Sequence, residues 1–158
     1  MFFKRQIFQS QLFSEKDFYK QFLKDLSISK SEIIIESPFI TSSRMNQLMP
    51  IFQVLLDKGK KIHIVTRDPS EIDEEHSKLQ ATNEILNCAD FGINTILMKG
   101  YHHRKICIID RQILWEGSLN ILSHANNSRE VMRRINGEYW AIEMINFLKL
   151  DSVLVSQY

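Results

Sequence analysis

His103-Arg104-Lys105-Ile106-Cys107-Ile108-Ile109-Asp110, followed after six residues by Gly117-Ser118-Leu119-Asn120, decides the reading of this chain. On a strand, residues i and i+2 project to the same face. His103 and Lys105 therefore stand together, Arg104 points away, and Ile106 and Ile108 continue the alternation. An imidazole beside an ammonium suits attack on phosphate: the cation neutralises non-bridging oxygens while a neutral imidazole acts as nucleophile. Ser118 and Asn120 share a face in the same way and offer a hydroxyl and an amide. Gly117 lets the backbone approach closely.

Working outward, Arg104 to Ile109 and Gln112 to Trp115 form a hairpin around Asp110-Arg111, and Val131 to Ile135 forms a further strand. Upstream, strands are expected at Ile33-Ile34-Ile35, at 61–66 and at 94–98. Ser14 is expected to cap a helix over 15–27, with Phe18, Tyr19, Phe22, Leu23 and Leu26 on its apolar side. Met45, Leu48, Met49, Phe52, Leu55 and Leu56 mark a second helix, kinked or split at Pro50 and ended by Gly59. Ser70 and Asp73 predict a capping box for a helix over 71–90 whose inner face is Leu79, Ile85, Leu86 and Ala89. A last helix over 138–149 is expected to bury Trp140, Met144 and Leu148. The alternation predicts an α/β fold, a mixed β-sheet flanked by helices on both faces, as one domain spanning residues 1–158.

Composition bounds the function. The chain has 158 residues, 44% of them hydrophobic and 25% charged, with a net charge of +1. This excludes disordered, collagen-like and coiled-coil classes. No run approaches the roughly 20 apolar residues of a membrane span. The charged start, Met1 to Gln6, is not expected to be a secretory signal. Two cysteines, Cys88 and Cys107, are too few for a disulfide framework, so a cytoplasmic location is expected. Charge is unevenly placed. Residues 96–136 carry Lys99, Arg104, Lys105, Arg111, Arg129, Arg133 and Arg134 against Asp110, Glu116 and Glu130. Such a local basic field suits an anionic ligand. A zinc site from His102, His103, Cys88 and Cys107 is rejected, since no C-x2-C pair exists and His103 and Cys107 lie too far apart on a strand. The acidic run Glu71 to Glu75 is read as structural, in the first turn of a helix.

The string H-x-K-x4-D-x6-G-S-x-N resembles the signature of the phospholipase D superfamily, with every spacing matching. The stretch from Gly117 to Arg134 looks most like its nuclease-type modules. The resemblance implies a phospholipase D-like fold and a phosphohistidine mechanism. His103 would be the nucleophile, Lys105 and Asn120 would hold phosphate oxygens, and Ser118 and Gly117 would support the site. Asp110 would be architectural. Glu130, ten residues after Asn120, would orient the imidazole. Tyr101, His102, Arg104 and Arg129 are candidate substrate contacts. A complete site in this family needs two such motifs, and no second H-x-K occurs here, so a homodimer with His103 of each subunit converging is implied. No metal or cofactor is called for. The first function is therefore a metal-independent nuclease, with DNA favoured over RNA. The alternatives are a phospholipid-acting enzyme and a non-catalytic nucleic-acid-binding subunit of a larger DNA-processing or restriction complex.

Overall fold

The computed structural model describes residues 9–124 and 127–155, so the charged start at Met1 to Gln6 lies outside it. The chain runs β1 (Gln9–Ser14), α1 (Phe18–Ser27), β2 (Glu32–Glu36), α2 (Ser42–Asp57), β3 (Lys61–Arg67), a 3-10 turn (Pro69–Glu71), α3 (Glu75–Asp90), β4 (Asn94–Met98), β5 (Ile106–Ile109), β6 (Ile113–Gly117), β7 (Val131–Asn136), α4 (Glu138–Leu148) and α5 (Leu150–Val155). Seven strands form one sheet in the order β1-β7-β6-β5-β2-β3-β4. β2, β3 and β4 pair in parallel and all other neighbours are antiparallel.

Each strand of the sheet centre feeds both faces. Ile33, Ile35, Ile62, Ile64, Cys107, Ile109 and Trp115 pack with Phe18, Phe22, Met45 and Phe52 on one side. Ile34, Val65, Ile106, Ile108 and Leu114 pack with Ala141, Ile145, Leu150 and Leu154 on the other. The mixed sheet with helices on both faces is thus as the alternation predicted. The registers bring the C-terminal ends of β1, β2, β3, β4 and β6 to one edge, together with the starts of β5 and β7. Loops at that edge are where ligands bind in open α/β sheets.

Several local expectations are corrected. Ser14 ends β1, an edge strand whose exposed residues gave no period-2 signal. α1 starts at Phe18, and Asp17 accepts from the Ser14 amide at 2.6 Å. α2 runs unbroken through Pro50. It ends as read, with Gly59 left-handed and the Gly59 and Lys60 amides donating to Leu56 and Leu55 carbonyls. Ser70 caps nothing. Its amide donates to Asp68, and α3 starts at Glu75, where the Glu74 carboxylate takes the His76 and Ser77 amides. The face of α3 is also different: Leu79 and Leu86 are exposed, while Ala81, Glu84 and Cys88 are buried. Glu84 is drawn inward by the Ser42 hydroxyl at 2.6 Å, which rotates the larger apolar residues outward. In α4 the buried residues are Ala141 and Ile145. Trp140 lies 38% exposed, and the helix stops at a left-handed Lys149.

One buried polar cluster ties α1 to the sheet. Asp25 is 1% exposed and accepts from Trp115 Nε1 at 2.9 Å and from Arg134 Nε and Nη2 at 2.7 and 3.0 Å. Removing one member of such a pair strands a buried charge. Asp25→Ala should lower stability by about 3–5 kcal/mol in urea unfolding at neutral pH. An unchanged midpoint would contradict this account of how α1 is fixed.

Candidate active site

The quoted motif straddles β5. At its far end Asp110 and Arg111 are both left-handed, with φ near 54°, as a two-residue hairpin turn demands. The Asp110 carboxylate accepts from the amides of Lys30, Ser31 and Glu32 at 2.7–3.0 Å and from the Ser29 and Ser31 hydroxyls. Partial burial would raise its pKa, but these donors outweigh it and hold the carboxyl below its usual range. Asp110 thereby clips the hairpin to the start of β2, at the opposite end of β5 from His103.

At the near end, β5 starts at Ile106 rather than at the expected Arg104, so residues 102–105 precede the strand, where they are fastened one after another. Glu71 accepts from the Gly100 and Tyr101 amides at 2.8 and 2.9 Å. Arg67 Nε donates to the His102 carbonyl at 3.2 Å. Arg104 makes a two-point ion pair with Glu36, which is fully buried at the end of β2, at 2.5 and 3.0 Å. The Gly117 amide donates to the Lys105 carbonyl at 3.3 Å. With Arg104 held on one side, His103 and Lys105 emerge together on the other. Lys105 Nζ lies 2.9 Å from His103 Nδ1, 3.3 Å from Nε2 and 2.7 Å from the His103 carbonyl.

The electrostatics favour an unprotonated imidazole. Desolvation, then Lys105, then Arg67 pull the His103 pKa below its ordinary value. Lys105 is also lowered, mainly by burial, with the facing Glu130 carboxylate working against that. Glu130 therefore acts on Lys105. Among the described residues no hydrogen bond joins it to His103, and its amide donates to Glu15 at 3.0 Å. His102 is turned inward, 8% exposed, with Nε2 3.8 Å from Glu36. Burial pushes its pKa down. The one exposed imidazole of the doublet is His103.

The second half of the motif sits across the β6–β7 boundary. A Cβ on Gly117 would come within 2.9 Å of Met132 Cα, so no side chain fits. The Ser118 hydroxyl accepts from the Val131 amide at 3.0 Å, and its own amide donates to the Val131 carbonyl at 2.9 Å. Ser118 thus stitches the two strands. Asn120 follows on the loop; its carbonyl accepts from the Tyr19 hydroxyl at 3.4 Å. Its Oδ1 is buried without a hydrogen-bond partner, an uncommon state for a buried polar atom.

An open groove of about 780 Å³ runs past these residues. His103, Arg104, Lys105, Gly117 and Ser118 line it; Asn120, Glu130, Tyr101, His102 and Arg129 do not. Its other wall is apolar and includes Leu12, Val131 and Phe147, exposed by 62%, 51% and 81%. Tyr101 stands 70% exposed beside Arg67, whose guanidinium carbon is 5.8 Å from its ring centre. Sequence reasoning passed over Glu36 and Arg67. Both stand at C-terminal ends of parallel strands, and that position was the available signal. No group of residues suited to a metal occurs among the described residues, and Cys88 and Cys107 are buried and free.

The family model for the PLD-like domain of cardiolipin synthase matches residues 22–149, and the chain belongs to that family. No curated protein matches it in sequence. Among solved structures it is similar to NucT from Helicobacter pylori, with TM-score 0.73 and 18% identity over 90% of this chain and 94% of that one. It is similar to Nuc from Salmonella typhimurium, a phospholipase D family member, with TM-score 0.71 and 18% identity over 90% and 92%. A phosphatidylserine synthase from Haemophilus influenzae Rd KW20 aligns with TM-score 0.68 and 13% identity, over 89% of this chain but 38% of its own. These likenesses define a phospholipase D-like fold. No described helix is long and apolar enough to cross a membrane.

Burial and two cations beside His103 set the sign of a titration. In NMR spectra of the imidazole nitrogens, His103 should titrate below 6.5, its ordinary value. Arg67→Gln removes a charge that favours the neutral ring, so the midpoint should rise. A midpoint above 6.5, or one unmoved by the substitution, would refute this electrostatic account.

Proposed function

We propose that the chain is a phosphodiesterase that cleaves nucleic acid through a phosphohistidine on His103, in a site completed by a second copy of itself. The observation that carries the reading is the His103–Lys105 pair, a neutral imidazole touching an ammonium at the mouth of an open groove. Of the seven cations in residues 96–136, Arg104, Arg111 and Arg134 are spent on Glu36, Asp151 and Asp25, and Lys99, Lys105, Arg129 and Arg133 lie outside those ion pairs and favour a polyanion. NucT and Nuc, to which the chain is similar in fold, are covered over 94% and 92% of their solved chains.

The chemistry proceeds in two displacements. Without substrate, Lys105 occupies His103 Nδ1. A bound phosphate draws the ammonium onto its oxygens, and Asn120 supplies a further donor. With Nδ1 freed, the ring exchanges its proton through solvent from Nε2 to Nδ1, and the Nδ1–H donates to the Glu130 carboxylate, which fixes the tautomer with Nε2 free to attack. Nε2 bonds to phosphorus as the P–O bond breaks, and His103 of the partner subunit gives its proton to the leaving alkoxide. That imidazole next takes a proton from water. The hydroxide attacks phosphorus, the P–N bond breaks, and His103 is regenerated. Lys105 and Asn120 provide the charge stabilisation, so no metal is needed. Ser118 and Gly117 hold the β6–β7 side of the groove, and Asp110 anchors the hairpin. Arg104 keeps the motif in place, while Tyr101 and Arg129 are free to meet the strand.

The dimer follows from two features. One chain carries one motif, and the exposed apolar wall of Leu12, Val131 and Phe147 lies beside it. A second copy across the groove would cover that wall while bringing the two imidazoles together. A phospholipid substrate is the second reading. It is favoured by the family description and by the alignment with phosphatidylserine synthase, of which this chain spans well under half.

Digestion of a panel of single- and double-stranded DNA and RNA in EDTA tests this. Wild-type protein should cut, and folded His103→Ala should not. Lys105→Ala should lose about 10²–10³ in rate, as when one oxyanion donor is removed. Phe147→Asp should give a monomer by light scattering with little activity. An active strict monomer contradicts the shared site. Intact nucleic acids alongside hydrolysed phosphatidylglycerol vesicles would select the lipid reading.

A further inference from the structure

A second cationic pocket lies behind the loop that carries Asn120, and it contains a cation that the fold leaves without a counter-charge. Arg44 is 6% exposed. It sits in the first turn of α2, at the positive end of the helix dipole, with no acidic residue in that turn. Among the described residues no carboxylate pairs with it, and its Nε has no hydrogen-bond partner. Nη1 donates to Gln47 at 2.6 Å, and the guanidinium lies flat over Tyr19, 3.1 Å from the ring centre. A neutral amide and an aromatic face do not neutralise the charge. Buried charges are otherwise paired or they bind something.

The pocket that Arg44 lines has a volume of about 420 Å³ and also takes Lys16, His124, Arg129 and Tyr19. Its one acid among the described residues, Glu15, is held ionised by the Glu130 amide and faces Lys16 and Arg129 rather than pairing with Arg44. The pocket is joined to the reaction groove through one loop. The Tyr19 hydroxyl donates to the carbonyls of Asn120 and Ile121, and Arg129 precedes Glu130, which faces Lys105. Residues 118–124 and 127–130 thus have the groove on one side and this pocket on the other.

We propose that the Arg44 pocket binds a phosphate of the nucleic-acid strand outside the bond being cleaved. The proposal rests on the reading of the His103 groove as a phosphodiester site and adds a second anchor for the same polyanion. The guanidinium offers a fixed, partly desolvated fork to the phosphate oxygens, Lys16 and Arg129 add charge at the rim, and Tyr19 keeps the fork flat. A strand crossing the loop then has its register set by two phosphates, without any reading of bases.

The test uses the full chain carrying His103→Ala, so that no strand is cut. Binding of a labelled twelve-nucleotide oligothymidylate is followed by fluorescence anisotropy in EDTA over a salt series. Arg44→Gln, and separately Lys16→Gln with Arg129→Gln, should each weaken binding about tenfold and flatten the salt dependence by roughly 0.7 per lost phosphate contact. The surface pair carries the test if Arg44→Gln fails to fold. The Arg44 Nε–H resonance, titrated with inorganic phosphate and then with the oligonucleotide, separates the sources. A shift with the oligonucleotide supports the proposal. A shift with inorganic phosphate alone assigns the pocket to a small anion and overturns it. Unchanged affinity in the folded variants also overturns it. Cleavage by wild-type protein is scored in the same buffer: a protein that binds the strand through Arg44 yet cuts nothing keeps the pocket and removes the nuclease reading.

Discussion

The placement of His103 and Lys105 depends on one half-buried ion pair, Glu36 with Arg104. Glu36 is fully buried at the end of β2, where an unpartnered carboxylate would be costly by several kcal/mol. Arg104 answers it with two hydrogen bonds from a segment that has just left β4 and is about to enter β5. That residue lies between His103 and Lys105. Fixing its side chain to one side fixes both neighbours on the other, where the ammonium meets the imidazole. The pair also couples the parallel half of the sheet to the antiparallel half, because β2 and β5 are the strands at which the pairing changes sense.

Around this clamp the local chemistry is consistent. Glu71 and Arg67 hold the backbone on either side of it, and Arg67 does a second job by adding positive field at His103. Gly117 gives up a side chain so that β7 can lie close, and Ser118 bridges the gap. The result is a floor under an open groove, with an apolar wall that no described residue covers. In the proposed mechanism that wall and the unused proton-donor role have the same solution, a second copy of the chain.

Much of this was legible in the sequence because it is local. The hairpin at Asp110-Arg111, the pairing of His103 with Lys105 and the mixed sheet follow from alternation and turn chemistry over a few residues. Family membership, read from one motif, agrees with the match over residues 22–149. What was not legible depends on distant partners. β1 is an edge strand with little buried surface, so its pattern was silent. The face of α3 is set by Glu84 meeting Ser42 from α2, and no periodicity within α3 reports that contact. The H-x-K spacing to Lys105 already chose His103 over His102, but that His102 is buried beside Glu36 could not be read from the sequence. Arg44 gave no signal at all, because its meaning lies in the counter-charge it lacks.

The central claim is that His103 itself becomes bonded to phosphorus. Alkaline quenching during turnover on an oligonucleotide, followed by mass spectrometry of the peptide holding residues 102–105, tests it directly. A nucleotide phosphoryl adduct located on His103 is the predicted result. An adduct on His102, or an unmodified peptide while cleavage proceeds, would contradict the account.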